Sequence, residues 1–215
     1  MIKRVKVFST VVSLVLLAGC GGNSSGDPTD SSIEAGIYRN SFFELRFPIP
    51  DGWAIASDET EERVLETGKE AIAGNSKTLD AAIKASEKTT YQLLMLSEHP
   101  IGSPVEFNSN LVLMAEKVSH APGIQTGADY LFHTHNLLQQ SGISYQRNGE
   151  PEPIQIGGRE FHKVIYQVEL PQVVFQQTFI VTIDRGFALA LIFSSNDEEM
   201  NEQLLSIAKE LHFGR

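Results

Sequence analysis

The sequence is short of cysteine, of basic residues and of several familiar catalytic motifs. Cys20 is the only cysteine among 215 residues, so the chain cannot close a disulfide on itself and a hydrophobic core must hold the fold. Lysine and arginine together number 17 against 27 acidic residues, which gives a formal net charge of −10. Nucleic-acid binding needs a basic surface, and this charge balance therefore argues against nucleic acid as a partner.

Motifs that would hold a metal ion or a phosphate group are also missing. The sequence contains neither a His-Glu-x-x-His zinc motif nor a Gly-x-x-x-x-Gly-Lys-Ser/Thr phosphate loop. Gly157-Gly158 is typical of a tight turn between two strands. We therefore predict no catalytic residue, no metal site and no cofactor, and we expect that the protein is not an enzyme.

The N-terminal segment has the pattern of an export signal. Three basic residues and no acidic one precede a mainly apolar run over residues 7–17. The run is about 11 residues long, whereas a membrane-spanning helix needs about 20. It ends in Leu17-Ala18-Gly19-Cys20, which resembles the lipobox of bacterial lipoproteins. We therefore predict a lipoprotein signal peptide over residues 1–19, with cleavage between Gly19 and Cys20.

The lipobox resemblance implies that Cys20 becomes the lipid-bearing first residue of the mature protein. Each buried CH₂ contributes about 0.8 kcal/mol to membrane binding, and one acyl chain alone binds only marginally. Lipoproteins carry two or three chains, such as palmitate, so the resemblance implies stable anchoring to a lipid bilayer. Gly21 follows the cysteine, where aspartate is the usual inner-membrane retention signal. We therefore expect the outer membrane, facing the periplasm, if the host has one.

Composition divides the rest of the chain into two parts. Residues 21–35 are rich in glycine, serine and aspartate and nearly free of apolar residues, so they cannot bury enough surface to order themselves. We predict a lipidated cysteine and flexible tether over residues 20–35 and a folded domain over residues 36–215. Without the leader and its three basic residues the formal net charge is −13, which favours solubility over adhesion to anionic headgroups.

Hydrophobic periodicity predicts alternating strands and helices within the folded domain. The predicted strands are 43–47, 91–97, 111–118, 143–147, 154–156, 161–170, 173–184 and 187–193. The predicted helices are 59–73, 79–85, 127–140 and a last one that carries Met200, Leu204, Ile207 and Leu211. Asn196 and Glu199 suit a capping box at the start of this last helix.

One predicted strand indicates how the layers are arranged. Residues 187–193 are apolar at every position, which predicts a central strand covered on both faces. Consecutive strands joined by short turns favour antiparallel pairing. We therefore expect an α+β fold in which a mainly antiparallel sheet of about six to eight strands is flanked by helices on both faces, an α/β/α sandwich.

Short motifs at both ends of the domain resemble those of the PsbP-like and DcrB-like group of α/β/α sandwich proteins. They are Tyr38-Arg39-Asn40, the run Phe43-Glu44-Leu45-Arg46-Phe47-Pro48, the turn Pro50-Asp51-Gly52-Trp53, and the close Leu211-His212-Phe213. The resemblance covers roughly residues 36–213. It implies an exported accessory or binding subunit, and it carries no shared active site.

Histidines are the first candidates for a functional site, and we interpret them as structural. His133 and His135 are two positions apart on a predicted helix, so their side chains point about 200° apart and cannot hold one metal ion. His135 lies between Leu131 and Leu138 on the inward stripe, which favours a hydrogen-bonded interior position. The other four histidines are scattered along the chain: His99, His120, His162 and His212.

The acidic run Asp197-Glu198-Glu199 is the second candidate. It could hold calcium, but acids are favoured in the first turn of a helix by the helix dipole, and the run lacks the alternating oxygen spacing of a calcium loop. Paired carboxylates that converge only in the fold leave glycoside hydrolysis open. Among the aromatic residues, Trp53 is expected in the core, and we favour packing over a partner-binding patch for Phe42.

These observations favour a membrane-anchored lipoprotein of the bacterial envelope that acts as a non-catalytic binding or accessory subunit. Its expected partners are a lipid bilayer, through acylated Cys20, and an envelope protein. Two alternatives stay open: a carrier or sensor for a small apolar ligand, which would need a pocket of about 300 Å³ or more, and an unrecognised hydrolase.

Replacing Cys20 with serine tests the anchor, because a hydroxyl group cannot form the thioether. We expect the Cys20→Ser variant to lose incorporation of labelled palmitate and to leave the membrane fraction. Ser24→Ala is the matched control and should change neither. Acylation and membrane fractionation that survive the loss of the sulfur would contradict the prediction.

Overall fold

The computed structural model describes residues 26–74 and 77–214. The predicted signal peptide over residues 1–19 and the predicted lipidation site Cys20 lie outside these residues. The helices of the described part are α1 Asp58–Ala73, α2 Lys77–Glu87, α3 Gly127–Leu138 and α4 Glu198–Ala208. Its strands are β1 Ser31–Glu34, β2 Ile37–Asn40, β3 Leu45–Pro48, β4 Ala54–Ile55, β5 Thr90–Ser97, β6 Asn110–Lys117, β7 Ser144–Ile156, β8 Arg159–Leu170, β9 Val173–Asp184, β10 Phe187–Ser195 and β11 His212–Phe213.

The strands form two antiparallel sheets. The large sheet has the order β4-β5-β6-β10-β9-β8-β7, and the small one has the order β1-β2-β3-β11. The small sheet packs on the large one together with helices α3 and α4, so the structure is α+β with a mainly antiparallel sheet. This confirms the fold class that the sequence predicts.

Strand β10 is the centre of the architecture. It lies between β6 and β9, and all of its nine residues except Ile192 are buried. A strand that is apolar on both faces has no side to turn to water, so a layer must cover each face. The prediction of a doubly covered central strand over residues 187–193 is therefore confirmed.

The first face of β10 carries Leu189, Leu191 and Phe193. It is covered by α4, by the segment after α4 and by the small sheet. Their fully buried side chains in this core are Leu204, Ala208, Leu211, Phe43 and Phe47. Burial of each large apolar side chain stabilises the fold by roughly 1.5–3 kcal/mol, and this core therefore holds the two sheets together.

The second face of the large sheet is covered by α3, which packs its Leu131 and Leu138 against β8 and β9. A capping box between Thr126 and Asp129 fixes the first turn of the helix. The Tyr130 hydroxyl also donates a 2.6 Å hydrogen bond to Glu116 Oε2 on β6. Burial, followed by the Glu116 charge, raises the pKa of Tyr130 well above its usual value.

The folded part begins earlier than the composition predicts. Strand β1, Ser31–Glu34, pairs with β2 along its whole length, and the Asn40 side chain donates a hydrogen bond to the Pro28 carbonyl. The prediction of a flexible tether as far as residue 35 is therefore wrong at its C-terminal boundary. All four β1 side chains are exposed, so the strand is ordered by backbone pairing. Its sequence therefore has no hydrophobic pattern from which a strand could be predicted.

The adjacent phenylalanines Phe42 and Phe43 are both buried, as the packing interpretation requires. They lie in a turn before β3, and the positive φ of 52° at Glu44 bends the chain there. The predicted strand over residues 43–47 therefore starts only at Leu45. Phe42 packs edge-on against Phe187 at the start of β10 instead of under a helix.

Two further boundaries differ from the prediction. The strands predicted over residues 143–147 and 154–156 are one strand, β7, because pairing with β8 resumes at Glu152 after an irregularity that follows Asn148. The N-cap of α4 is Asp197 instead of Asn196, since Asp197 Oδ1 accepts a hydrogen bond from the Met200 N–H.

Trp53, which was expected in the core, is half-buried and packs against the core on the first face of β10.

Within the described residues, no helix has the length and apolar character needed to cross a membrane.

Gly127 is the residue on which the docking of α3 depends. A Cβ atom at this position would lie 2.0 Å from the Val181 carbonyl oxygen, so Gly127→Ala must push the helix away from β9. We expect this variant to lose about 2–3 kcal/mol of the free energy of unfolding, measured by urea denaturation. Gly123→Ala is the matched control, because its Cβ would meet nothing within 4 Å, and it should change stability by less than about 0.5 kcal/mol. Equal effects would contradict this account.

Candidate functional site

The first face of the large sheet is open at one corner, where a trough of about 560 Å³ lies beside the start of α4. Strands β7, β8 and β9 form its floor. Its lining is dominated by uncharged polar side chains: Gln146, Asn148, Gln167, Gln176, Ser195 and Asn201. We call this surface the amide trough.

Strand register places three glutamines in one row across the floor of the amide trough. Gln146 on β7 lies opposite Gln167 on β8. Gln167 in turn lies opposite Gln176 on β9, and Gln176 lies opposite Ser195 at the end of β10. Because paired residues in an antiparallel sheet point to the same face, the four side chains share the first face. Asn148 and Ile165 form part of the next row on this face.

One of the two N–H donors of each glutamine in the row is already used within the protein. Gln146 Nε2 donates to Glu169 Oε1 at 2.9 Å, and Gln167 Nε2 donates to the same oxygen at 3.3 Å. Gln176 Nε2 donates to Thr178 Oγ1 at 3.4 Å. These bonds orient the three amides and leave their Oε1 oxygens without a donor from the described residues.

Asn201 forms the wall that α4 contributes. Its Nδ2 donates a long hydrogen bond of 3.4 Å to the Ser195 carbonyl. Its Oδ1 is buried, and no described residue donates to it. A buried acceptor without a partner costs roughly 1–3 kcal/mol, so this position is not optimised for the stability of the ligand-free protein.

The lining of the amide trough carries one charge of each sign, from Arg147 and Glu198. Beside the lining, Arg147 forms an ion pair with Glu150, and Glu169 accepts hydrogen bonds from the glutamines. The lining itself therefore has no formal net charge.

The amide trough lies at the opposite end of the sheet from the beginning of the described chain. Gly26 lies against the ring of Phe42, which contacts Phe187 at the first position of β10. Ser195, which lines the trough, is the last of the nine residues of β10. A strand rises about 3.4 Å per residue, so roughly 27 Å separates the two ends.

The structure places the two neighbouring histidines on different sides of α3. His133 is exposed, and His135 turns inward, where its ring stacks on Tyr166 and its Nδ1 lies 3.4 Å from the Tyr166 hydroxyl oxygen. Burial, followed by the Arg147 charge, lowers the pKa of His135, and burial raises the pKa of Tyr166 to about 12. This packing agrees with the structural interpretation of His135.

The remaining candidates are not brought together. His99 lies after β5, His120 between β6 and α3, His162 on β8 and His212 on β11. In the described part of the chain, no group of three or more histidine, cysteine, aspartate or glutamate side chains could hold a metal ion.

The acidic run has the structural role expected of a helix start. Asp197 caps α4, and Glu198 and Glu199 lie in its first turn.

One serine-hydrolase pattern, Gly22-Asn23-Ser24-Ser25-Gly26, is present in the sequence. Only its last residue lies in the described part of the chain.

Sequence reasoning did not find the amide trough. Its residues are scattered over 56 positions, from Gln146 to Asn201, and each is an ordinary polar residue in its own segment. The one available signal is the presence of glutamine on each of β7, β8 and β9, which indicates a polar patch only once the register is known.

Similarity to known proteins is found at the level of structure. No family model matches the sequence, and no curated protein sequence matches it. The solution structure of cyanobacterial PsbP (CyanoP) from Synechocystis sp. PCC 6803 superposes with a TM-score of 0.51 at 16% sequence identity, covering 92% of this chain and 99% of that chain. This similarity shows that the chain has a PsbP-like fold.

A second similar structure is LpqN, which is involved in cell envelope biogenesis of Mycobacterium tuberculosis. It superposes with a TM-score of 0.43 at 13% identity and covers 87% of this chain and 86% of that chain.

Replacing Asn201 with alanine tests whether its amide is kept for stability. The change removes a weak hydrogen bond, relieves the unpaired Oδ1 and improves helix propensity by about 0.5 kcal/mol. We expect the free energy of unfolding, measured by urea denaturation, to stay constant or rise by about 1 kcal/mol.

Ser195→Ala is the matched control on the same wall. The Ser195 hydroxyl oxygen accepts hydrogen bonds from the Asp197 N–H and from the Ser109 hydroxyl, so its loss should cost about 1–2 kcal/mol. A loss of more than about 1 kcal/mol in Asn201→Ala would show that the amide serves the fold.

Proposed function

We propose that the protein is a lipid-anchored binding or accessory subunit of the bacterial envelope that acts without catalysis, and that the amide trough is its binding surface. The predicted leader over residues 1–19, followed by Cys20, supports the anchor. The observation that carries the proposal is the position of the trough, an open polar corner at the end of the sheet farthest from Gly26.

The length of chain between the anchor and the domain supports this orientation. Cys20 precedes Gly26 by six residues, and an extended chain spans at most about 3.6 Å per residue. Gly26, which lies beside the Phe187 end of the sheet, would therefore stay within about 22 Å of the lipidated residue. The amide trough would be the end presented to the space beyond the membrane.

We place the protein on the outer membrane, facing the periplasm, when the host has such a membrane, because Gly21 provides no inner-membrane retention signal. A component of the same compartment, such as an envelope protein, would be the partner. The PsbP-like fold is compatible with an accessory role.

The polar character of the trough does not favour the alternative of a carrier for an apolar ligand. Its floor is a row of glutamines, and the apolar residues on both faces of β10 are packed against other elements. Amide groups that are stripped of water by an apolar ligand would lose hydrogen bonds without compensation.

Site-specific photocrosslinking in intact cells tests the binding surface. A photoreactive residue at Gln167, in the trough, should give a reproducible crosslinked product. The same residue at Gln155, an exposed glutamine near the other end of the large sheet, should not.

The same experiment in the Cys20→Ser background tests whether anchoring is needed for the encounter. We expect the Gln167 product to decrease. Equal products from Gln167 and Gln155, or none from Gln167 under several growth conditions, would contradict the proposed surface.

A further inference from the structure

We infer that the amide trough binds an uncharged, hydroxyl-rich glycan segment. The inference rests on the proposed function in one respect, that the trough is a binding surface. It adds the chemical class of the ligand, which follows from four features of the site: its free acceptors, its charge balance, its neighbouring strand edge and its size.

The trough presents several free acceptors that are held in fixed positions. The Oε1 atoms of Gln146, Gln167 and Gln176 accept from no described residue, while one N–H of each amide is used to orient it and the other stays free to donate. Asn201 Oδ1 adds a fourth acceptor, which is buried and unpaired. A ligand that matches this set must bring several neutral donors.

Sugar hydroxyls meet this requirement. Each hydroxyl group donates one hydrogen bond and accepts up to two, so a row of hydroxyls along a glycan can donate to a row of amide oxygens. The exposed part of Val174 and the half-buried Ile165 supply an aliphatic floor between the amides, against which the C–H face of a sugar ring can pack.

The charge balance argues against an ionic ligand. An anionic group would lie near Glu198 and Glu169, while the guanidinium of Arg147 is already paired with Glu150. A cationic group would meet Arg147 as well as Glu198, and it would gain little from Glu169, whose oxygen already accepts from two glutamines. An uncharged ligand avoids both costs of desolvation.

An extended peptide is the competing occupant, and the neighbouring edge strand disfavours it. Peptides that add to a sheet use the free backbone groups of its edge. On β7, the Tyr145 carbonyl already accepts from the Gln139 side chain. Pro151 has no N–H to donate, and neither has Pro153. These three positions of the edge are therefore lost to strand addition, whereas the Oε1 oxygens of the neighbouring side-chain amides have no donor from the described residues.

The volume of the trough suits a short oligosaccharide. At about 560 Å³ it lies within the range of roughly 300–1,000 Å³ that is typical of small-ligand sites. It is open at the edge of the sheet, so a longer chain can extend beyond it. This suits one segment of a polymer better than an enclosed monosaccharide.

Titration of the purified full-length protein with soluble, uncharged oligosaccharides tests the inference. The probes are tetrasaccharides of β-1,4-linked N-acetylglucosamine, of β-1,4-linked glucose and of α-1,4-linked glucose, and binding is followed by isothermal titration calorimetry and by saturation-transfer NMR. We expect at least one of them to bind saturably and the others to show its linkage preference. An uncharged extended peptide of similar length is the fourth probe.

Two trough variants and one control identify the site. Gln176→Leu removes an amide from the centre of the row, and Asn201→Ala removes the buried acceptor. Each should raise the Kd for the bound glycan about fivefold, the effect of one hydrogen bond. Gln155→Leu makes the same kind of change outside the trough and should leave the Kd unchanged. Circular dichroism and urea denaturation confirm that each variant is folded.

The outcomes separate the inference about the glycan ligand from the proposed function as a binding subunit. Glycan binding that weakens in both trough variants but not in the control supports the inference. Binding that is equal in all variants, or no binding of any glycan probe, overturns it. Binding of the peptide alone also overturns it, while the proposed function survives if the Gln167 crosslink in cells persists. If a glycan binds as expected but no Gln167 crosslink forms in cells, the trough is a glycan site and the proposed contact with an envelope protein is contradicted.

Discussion

The structure depends on the need to cover β10 on both faces. This strand is apolar from Phe187 to Phe193, and all of its residues except Ile192 are buried, so neither face can turn to water. The small sheet and α4 cover the first face, while α3 covers the second. This requirement accounts for three features: the apolar stripe of α4, the two phenylalanines before β3, and the close approach of Gly127 to Val181.

The same requirement explains why one corner is left open. Helix α4 has 11 residues and lies along β10, so it does not reach across β9, β8 and β7. On the first face these outer strands change from apolar residues near Phe161 to glutamines near Gln167 and Gln176. A polar sheet face is stable in water without a cover, and it is therefore available to a ligand. The residues that stabilise the fold and the residues of the proposed binding surface thus lie in different parts of one sheet.

The periodic part of the fold was accessible from the sequence. Hydrophobic patterns predicted the strands from β5 to β10, the helices and the covered centre, because burial on one face repeats every two or 3.6 residues. The pattern failed where order does not come from side-chain burial. Strand β1 is held by backbone pairing with exposed side chains, and the turn at Glu44 buries two adjacent phenylalanines by bending the chain.

The sequence by itself determined the fold class, the central strand and the structural role of His135, because each of these depends on the order of polar and apolar residues along one segment. It also supplied the prediction of a leader over residues 1–19 that precedes Cys20. Only the tertiary structure decided that Gln146, Gln167, Gln176 and Asn201 lie together, that Asp197 caps α4 and that the trough lies far from Gly26. These facts depend on strand register and on the packing of distant segments, and a shift of one residue in any pairing would turn the glutamines to the opposite face.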